Sequence, residues 1–222
     1  TYKIPLSQIT MLITVNFLVQ LTIDLLCTGF VDKIGYRASI IAAHVFSGAG
    51  LVLLTFLPDI LGPFPGILTA VCIYAVGGGL IEVLVSPIVE ATPSDNKEKA
   101  MSLLHSFYCW GSVGVVLIST LFFRLFGTTH WKILAIAWAV IPAANILLFV
   151  SAPIASLTSE EDSGMSLKEL FSQKIFWPLL LMMVCAGASE QSVSQSASTF
   201  AEKGPGVSKA IGDLAGPMSF SV

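Results

Sequence analysis

Apolar residues along this chain come in blocks of about twenty, parted by short polar or Gly/Pro-rich breaks. About 20 mostly apolar residues are what an α-helix needs to cross a bilayer. Six stretches meet that requirement, at 9–30, 38–57, 66–89, 100–126, 133–150 and 175–200, and a seventh begins near Val207. The breaks carry turn chemistry: Pro58-Asp59, Gly62-Pro63-Phe64-Pro65-Gly66, Pro93-Ser94-Asp95-Asn96 and Gly127-Thr128-Thr129. Loops this short make consecutive helices antiparallel. The pattern therefore predicts an all-α, polytopic membrane protein.

One joint breaks the rhythm. Residues 153–164 are polar and include Glu160, Glu161 and Asp162, which reads as a surface linker. Ser166 followed by Glu169 is a capping-box pattern, which starts a short amphipathic helix with Leu167, Leu170 and Phe171 on its apolar side. The predicted organisation is a first helical bundle at 1–152, a linker at 153–174 and the start of a second bundle at 175–222.

Composition agrees with lipid as the solvent. Apolar residues make up 55% of the chain and charged residues 11%, less than half the charged share of an ordinary soluble domain. A net charge of −3 with no basic block excludes nucleic acid as a partner. Cys27, Cys72, Cys109 and Cys185 sit far apart, each in its own apolar segment, where cysteine acts as a small packing residue. Nothing suggests a metal or cofactor site. Residues 1–8 lack the basic region of a cleavable leader. No HExxH, no GxSxG and no usable Ser/His or Asp dyad is present, so an intramembrane enzyme is disfavoured. Gly77-Gly78-Gly79 is no phosphate cradle, since no strand precedes it and no Lys-Ser/Thr follows.

Polar residues inside the apolar blocks are the informative ones, because ionisable groups at membrane depth are costly and mark sites or pathways. Asn16, Gln20 and Asp24 recur every four residues in the first span. Tyr74, Gly78, Glu82 and Ser86 do the same in the third, where Glu82 follows the three glycines. In the fourth, His105, Ser112 and Ser119 form a thin stripe, and in the last the run 189–196 is polar around its whole circumference. A lipid-facing helix cannot carry such a run, so it lines a water-filled cavity or is locally broken. Asp24, near the end of its span, is read as a structural partner of the following loop. Glu90 is read as solvated at the interface, and Trp131, Trp138 and Trp177 as belt or packing residues.

Between the first two spans the chain reads Gly29-Phe30-Val31-Asp32-Lys33-Ile34-Gly35-Tyr36-Arg37. This resembles the G-x-x-x-D-x-x-G-x-[R/K] motif of the major facilitator superfamily, found in the cytoplasmic loop after helix 2. Gly29 would let the helix end approach a neighbour, and Gly35 would permit the reversal. Asp32 would face a helix N-terminus, and Arg37 would hold that carboxylate or a carbonyl end. The resemblance implies a piece of a twelve-helix transporter from family helix 2 to the start of helix 8. The remainder of the chain or another copy would then cover Asn16, Glu82, His105 and Gln191. It also orients the chain, which six basic residues on one side against five on the other cannot do. Lys33, Lys97 and residues 160–162 are expected in the cytoplasm, with Asp59 and Thr128 outside.

Gly-Gly-Gly-Leu-Ile-Glu ending at Glu82, His105-Ser106-Phe107 and Gly187-Ala188-Ser189-Glu190-Gln191 look like bacterial sugar permeases of the fucose-permease type. Ser196 departs from them, standing where related sequences have an aromatic residue. The resemblance implies a symporter in the plasma membrane that imports a small polar solute, a sugar, with protons. Glu82 would be the proton carrier. His105, Tyr108, Trp110, Glu190, Gln191, Gln195, Asn16 and Gln20 would bind the solute through amide and other polar hydrogen bonds and aromatic stacking. Drug exporters of the superfamily carry an arginine in helix 4 and a Gly-Pro antiporter motif in helix 5. Neither is present here, Gly111 and Gly114 lacking the proline, although an exporter and a non-transporting nutrient receptor remain as rival readings.

Overall fold

The computed structural model describes Tyr2, residues 4–154 and residues 167–203. Its helices are α1 (Leu6–Ile34), α2 (Tyr36–Ile60), α3 (Pro63–Ala91), α4 (Lys97–Phe126), α5 (Trp131–Ser151), α6 (Leu167–Ser172) and α7 (Phe176–Lys203), with a 3₁₀ turn at Thr128–His130. Five are long and apolar enough to cross a membrane: α1 to α4, and α5 with its preceding turn. In α7 the apolar portion is Phe176–Glu190. The seventh span expected near Val207 and the capping residue Ser166 lie outside the described residues.

Three breaks are set by glycines with positive φ. Gly35 (φ 92°) separates α1 from α2, Gly62 (φ 93°) ends the turn into α3, and Gly127 (φ 76°) precedes the 3₁₀ turn. An L side chain at these angles is strained, so glycine punctuates the chain here. Pro63 opens α3, where its fixed φ suits the first helical turn and its missing N–H is not needed. Asn96 caps α4: its Oδ1 accepts the Lys99 N–H at 2.9 Å, and Lys97 pairs with Glu90 at 3.3 Å across the turn.

Pro58-Asp59 is not a break. Helix α2 runs through it to Ile60, with Pro58 buried. The N–H that proline lacks would have met a carbonyl one turn back, a cost the tertiary packing offsets. A Cβ on Gly66 would lie 2.4 Å from Pro58 N and from the Leu57 carbonyl, so α3 rides directly over this turn. Pro87 and Pro142 likewise sit within α3 and α5.

The chain divides into two compact units, Thr1–Leu104 with Leu125–Thr158, and His105–Arg124 with Ser159–Val222. In the first unit α2 packs along both α3 and α5, and α1 lies on α3. The α2/α3 seam is built on small residues that bring backbones together. A Cβ on Gly50 would fall 2.5 Å from Tyr74 N, and one on Gly77 would fall 2.5 Å from the Ala43 carbonyl. Cys27 and Val31 of α1, Ile40 and Ala43 of α2, and Leu80 and Leu84 of α3 form the buried core. Large apolar side chains such as Phe56, Leu147 and Leu148 are exposed. Hydrocarbon is the medium that makes this arrangement stable.

Helices α2 and α5 are fastened at three levels. At one end Arg37 donates to the carbonyls of Phe149 (3.2 Å) and Val150 (2.6 Å), closing two of the acceptors that α5 leaves open at its C-terminus. In the middle, His44 Nδ1 donates to Ile40 O (2.8 Å), which leaves Nε2 to accept from the Asn145 amide (3.2 Å), and its ring lies against Phe149. At the far end Lys132 pairs with Asp59, and the Tyr2 hydroxyl donates to Asp59 at 2.5 Å. That bond holds the Tyr2 phenol above its ordinary range. Arg37→Lys should cost about 1 kcal/mol, because both bonds come from the terminal nitrogen Nη1, which the lysine side chain, one atom shorter, does not reach in the same place. The expected readout is a Tm lower by roughly 2–4 °C in detergent. An unchanged Tm would show that the bond adds nothing.

In the second unit, α6 packs against the start of α7. The Phe171 ring meets those of Phe176 and Trp177, and Trp177 Nε1 donates to the Phe171 carbonyl at 3.2 Å.

Candidate functional site

The loop motif keeps part of its expected geometry. Gly35 makes the reversal, and Arg37 takes a carbonyl end. Gly29 does not serve a close approach, since a Cβ there would meet nothing within 4 Å. That role falls to the glycines of α2 and α3. Asp32 lies in the last turn of α1, and its side chain is outside the described residues.

The polar stripes of α1 and α3 face one another. Asn16 Nδ2 donates to Gln20 Oε1 at 3.1 Å, the i,i+4 amide pair that the spacing allows. Gln20 rests on the glycine run: a Cβ on Gly78 would lie 3.0 Å from Gln20 Nε2, and one on Gly79 would lie 3.2 Å from Gln20 O. A Cβ at either position would crowd Gln20. Glu82 follows Gly78 by one turn of α3 and is exposed. Asn16, Gln20 and Glu82, three of the residues singled out from sequence, thus share one α1/α3 face. Asp24 lies on it too, with Glu82 as a charged neighbour. Asn16 Oδ1 and Asp24 Oδ1 are buried and accept no hydrogen bond among the described residues.

In the second unit, His105, Tyr108 and Trp110 are exposed on α4, and Glu190 is exposed on α7. Gln191 and Gln195 lie on α7, with side chains outside the described residues. Helix α7 continues unbroken through the polar run, which removes the broken-helix alternative; Ser189 Oγ bonds back to Cys185 O at 2.8 Å.

Sequence reasoning missed the His44–Asn145 bond. A lone histidine and a lone asparagine, each in an otherwise apolar stretch, were the available signal, because each needs a partner at membrane depth. All four cysteines are free, and among the described residues no three His, Cys, Asp or Glu side chains converge as metal ligands.

A family model described as Major Facilitator Superfamily matches residues 1–222. No curated protein and no solved structure matches the chain.

Proposed function

Because the chain belongs to the Major Facilitator Superfamily, we propose that it is a secondary transporter carrying a small polar solute, a sugar, inward together with protons by alternating access. Glu82 carries the reading. It is a carboxylate in a membrane span, one turn beyond the glycine at which Gln20 of α1 crosses α3. Such a group is costly when ionised and apolar enough when protonated, so its proton can be tied to the state of the transporter. Beside it, Asn16 and Gln20 offer amide donors and acceptors of the kind that bind sugar hydroxyls. The second unit, by itself, carries residue types that also suit a sugar: His105, Tyr108 and Trp110 on α4, and Glu190, Gln191 and Gln195 on α7. The setting is the plasma membrane of a bacterium.

The test is uptake of a panel of radiolabelled hexoses and pentoses into proteoliposomes with an inside-alkaline pH gradient. At least one sugar is expected to accumulate saturably, and a protonophore should collapse that accumulation. If no sugar of the panel accumulates, or if accumulation survives the protonophore, the reading is wrong.

A further inference from the structure

Asp24 is the membrane-depth carboxylate that the proton-coupling role of Glu82 leaves unused. It lies within the span Leu6–Cys27, three residues before the buried Cys27. Its Oδ1 is buried and receives no hydrogen bond among the described residues. An ionised carboxylate can settle at such a place only with donors or a cation beside it.

Among the described residues nothing donates to that oxygen. On α3 the charged neighbour is Glu82, of the same sign. On α2, Arg37 is bound to the carbonyls of Phe149 and Val150, and His44, with Nε2 accepting, to Ile40 and Asn145. Within α1 itself, Gln20 Oε1 accepts from Asn16, Cys27 is a buried thiol, and Lys33 is exposed at the last turn.

Register places the two acids together. One residue, Gly35, links α1 to α2, and Leu61 and Gly62 link α2 to α3, so α1 and α3 run parallel. Gln20 crosses Gly78. One turn further along both helices stand Asp24 and Glu82. Two like charges on facing turns cannot both ionise cheaply, and a proton placed between them removes the repulsion and the bare buried oxygen at once.

Resting on the proton-symport reading of Glu82, we infer that Asp24 and Glu82 hold one proton as a pair, with Asp24 its inner resting place and the exposed Glu82 its point of exchange. The transfer converts the Asp24 carboxylic acid and the Glu82 carboxylate into the Asp24 carboxylate and the Glu82 carboxylic acid. One O–H bond breaks, one forms, and the pair keeps its single negative charge. Glu82 then exchanges that proton with water, so that one proton replaces another and the pair keeps its charge.

Infrared difference spectroscopy of the protein in lipid vesicles tests this without knowledge of the solute. At neutral pH the wild type is expected to show the C=O stretch of a protonated carboxylic acid. The stretch should shift when aspartate carboxyls carry ¹³C and stay in place when glutamate carboxyls do. Asp24→Asn should remove the band, and Glu82→Gln should keep it. Absence of the band in the wild type, indifference to the aspartate label, or survival in Asp24→Asn each overturns the pairing. Should Asp24→Asn fail to fold, the label in the wild type decides alone. A band that behaves as described in a protein that moves no sugar would leave the pair standing and remove the symport reading instead. Loss of the band in a protein that still accumulates sugar with protons would do the reverse.

Discussion

Glu82→Gln is expected to abolish proton-driven sugar accumulation while leaving sugar counterflow intact. The amide has nearly the shape of the protonated acid, so the packing beside Gly78 and the amide pair of Asn16 and Gln20 should persist. What it lacks is an exchangeable acidic proton. One pH unit is worth about 1.4 kcal/mol, so one proton per sugar supports about tenfold accumulation per unit of gradient. The variant should fall from that ratio to about one, yet still exchange labelled for unlabelled sugar across the membrane. Accumulation by Glu82→Gln equal to that of the wild type would remove the carboxylate from the coupling step.

Gly77→Ala is expected to be strongly damaging at the α2/α3 seam. The added Cβ would lie 2.3 Å from Ser47 Oγ, 2.5 Å from the Ala43 carbonyl and 2.5 Å from Ser47 N. Two of those three atoms are backbone, so relief requires α2 and α3 to separate rather than a side chain to turn. Overpacking of this kind costs about 1–3 kcal/mol, and parting the seam would also loosen the core around Ala43 and Leu80. A Tm lower by roughly 2–12 °C corresponds to that cost. Gly29→Ala is the internal comparison. Its Cβ would enter open space, and alanine is the better helix former by about 1 kcal/mol. Equal losses for the two variants would contradict the close crossing at Gly77.

That contrast also shows where the sequence was legible. The reversals at Gly35, Gly62 and Gly127 could be read because a positive φ is a local demand with a local signature. The Asn16–Gln20 pair was within reach for the same reason, being a matter of i,i+4 spacing on one helix. Pro58 could not be read correctly. Whether a proline ends a helix or lies inside it depends here on α3 covering it at Gly66, a fact about packing. Gly29 was given the close approach that belongs to Gly50, Gly66 and Gly77, since a loop motif names residue types without naming neighbours. The cross-helix neighbour of Asp24 could not be read, because sequence contains no cross-helix register. Once α1 and α3 lie parallel with Gln20 on Gly78, its neighbour is Glu82. The bond between His44 and Asn145 joins residues 101 positions apart and had no local trace beyond two lone polar side chains.

Proton movement with the sugar is the central claim, and a pH electrode measures it most directly. A lightly buffered suspension of de-energised cells or proteoliposomes containing the protein is given a pulse of a transported sugar. The medium should turn alkaline in proportion to the sugar taken up, and the response should vanish in Glu82→Gln and with a protonophore. Uptake without any change in external pH, or acidification on adding the sugar, would contradict proton symport.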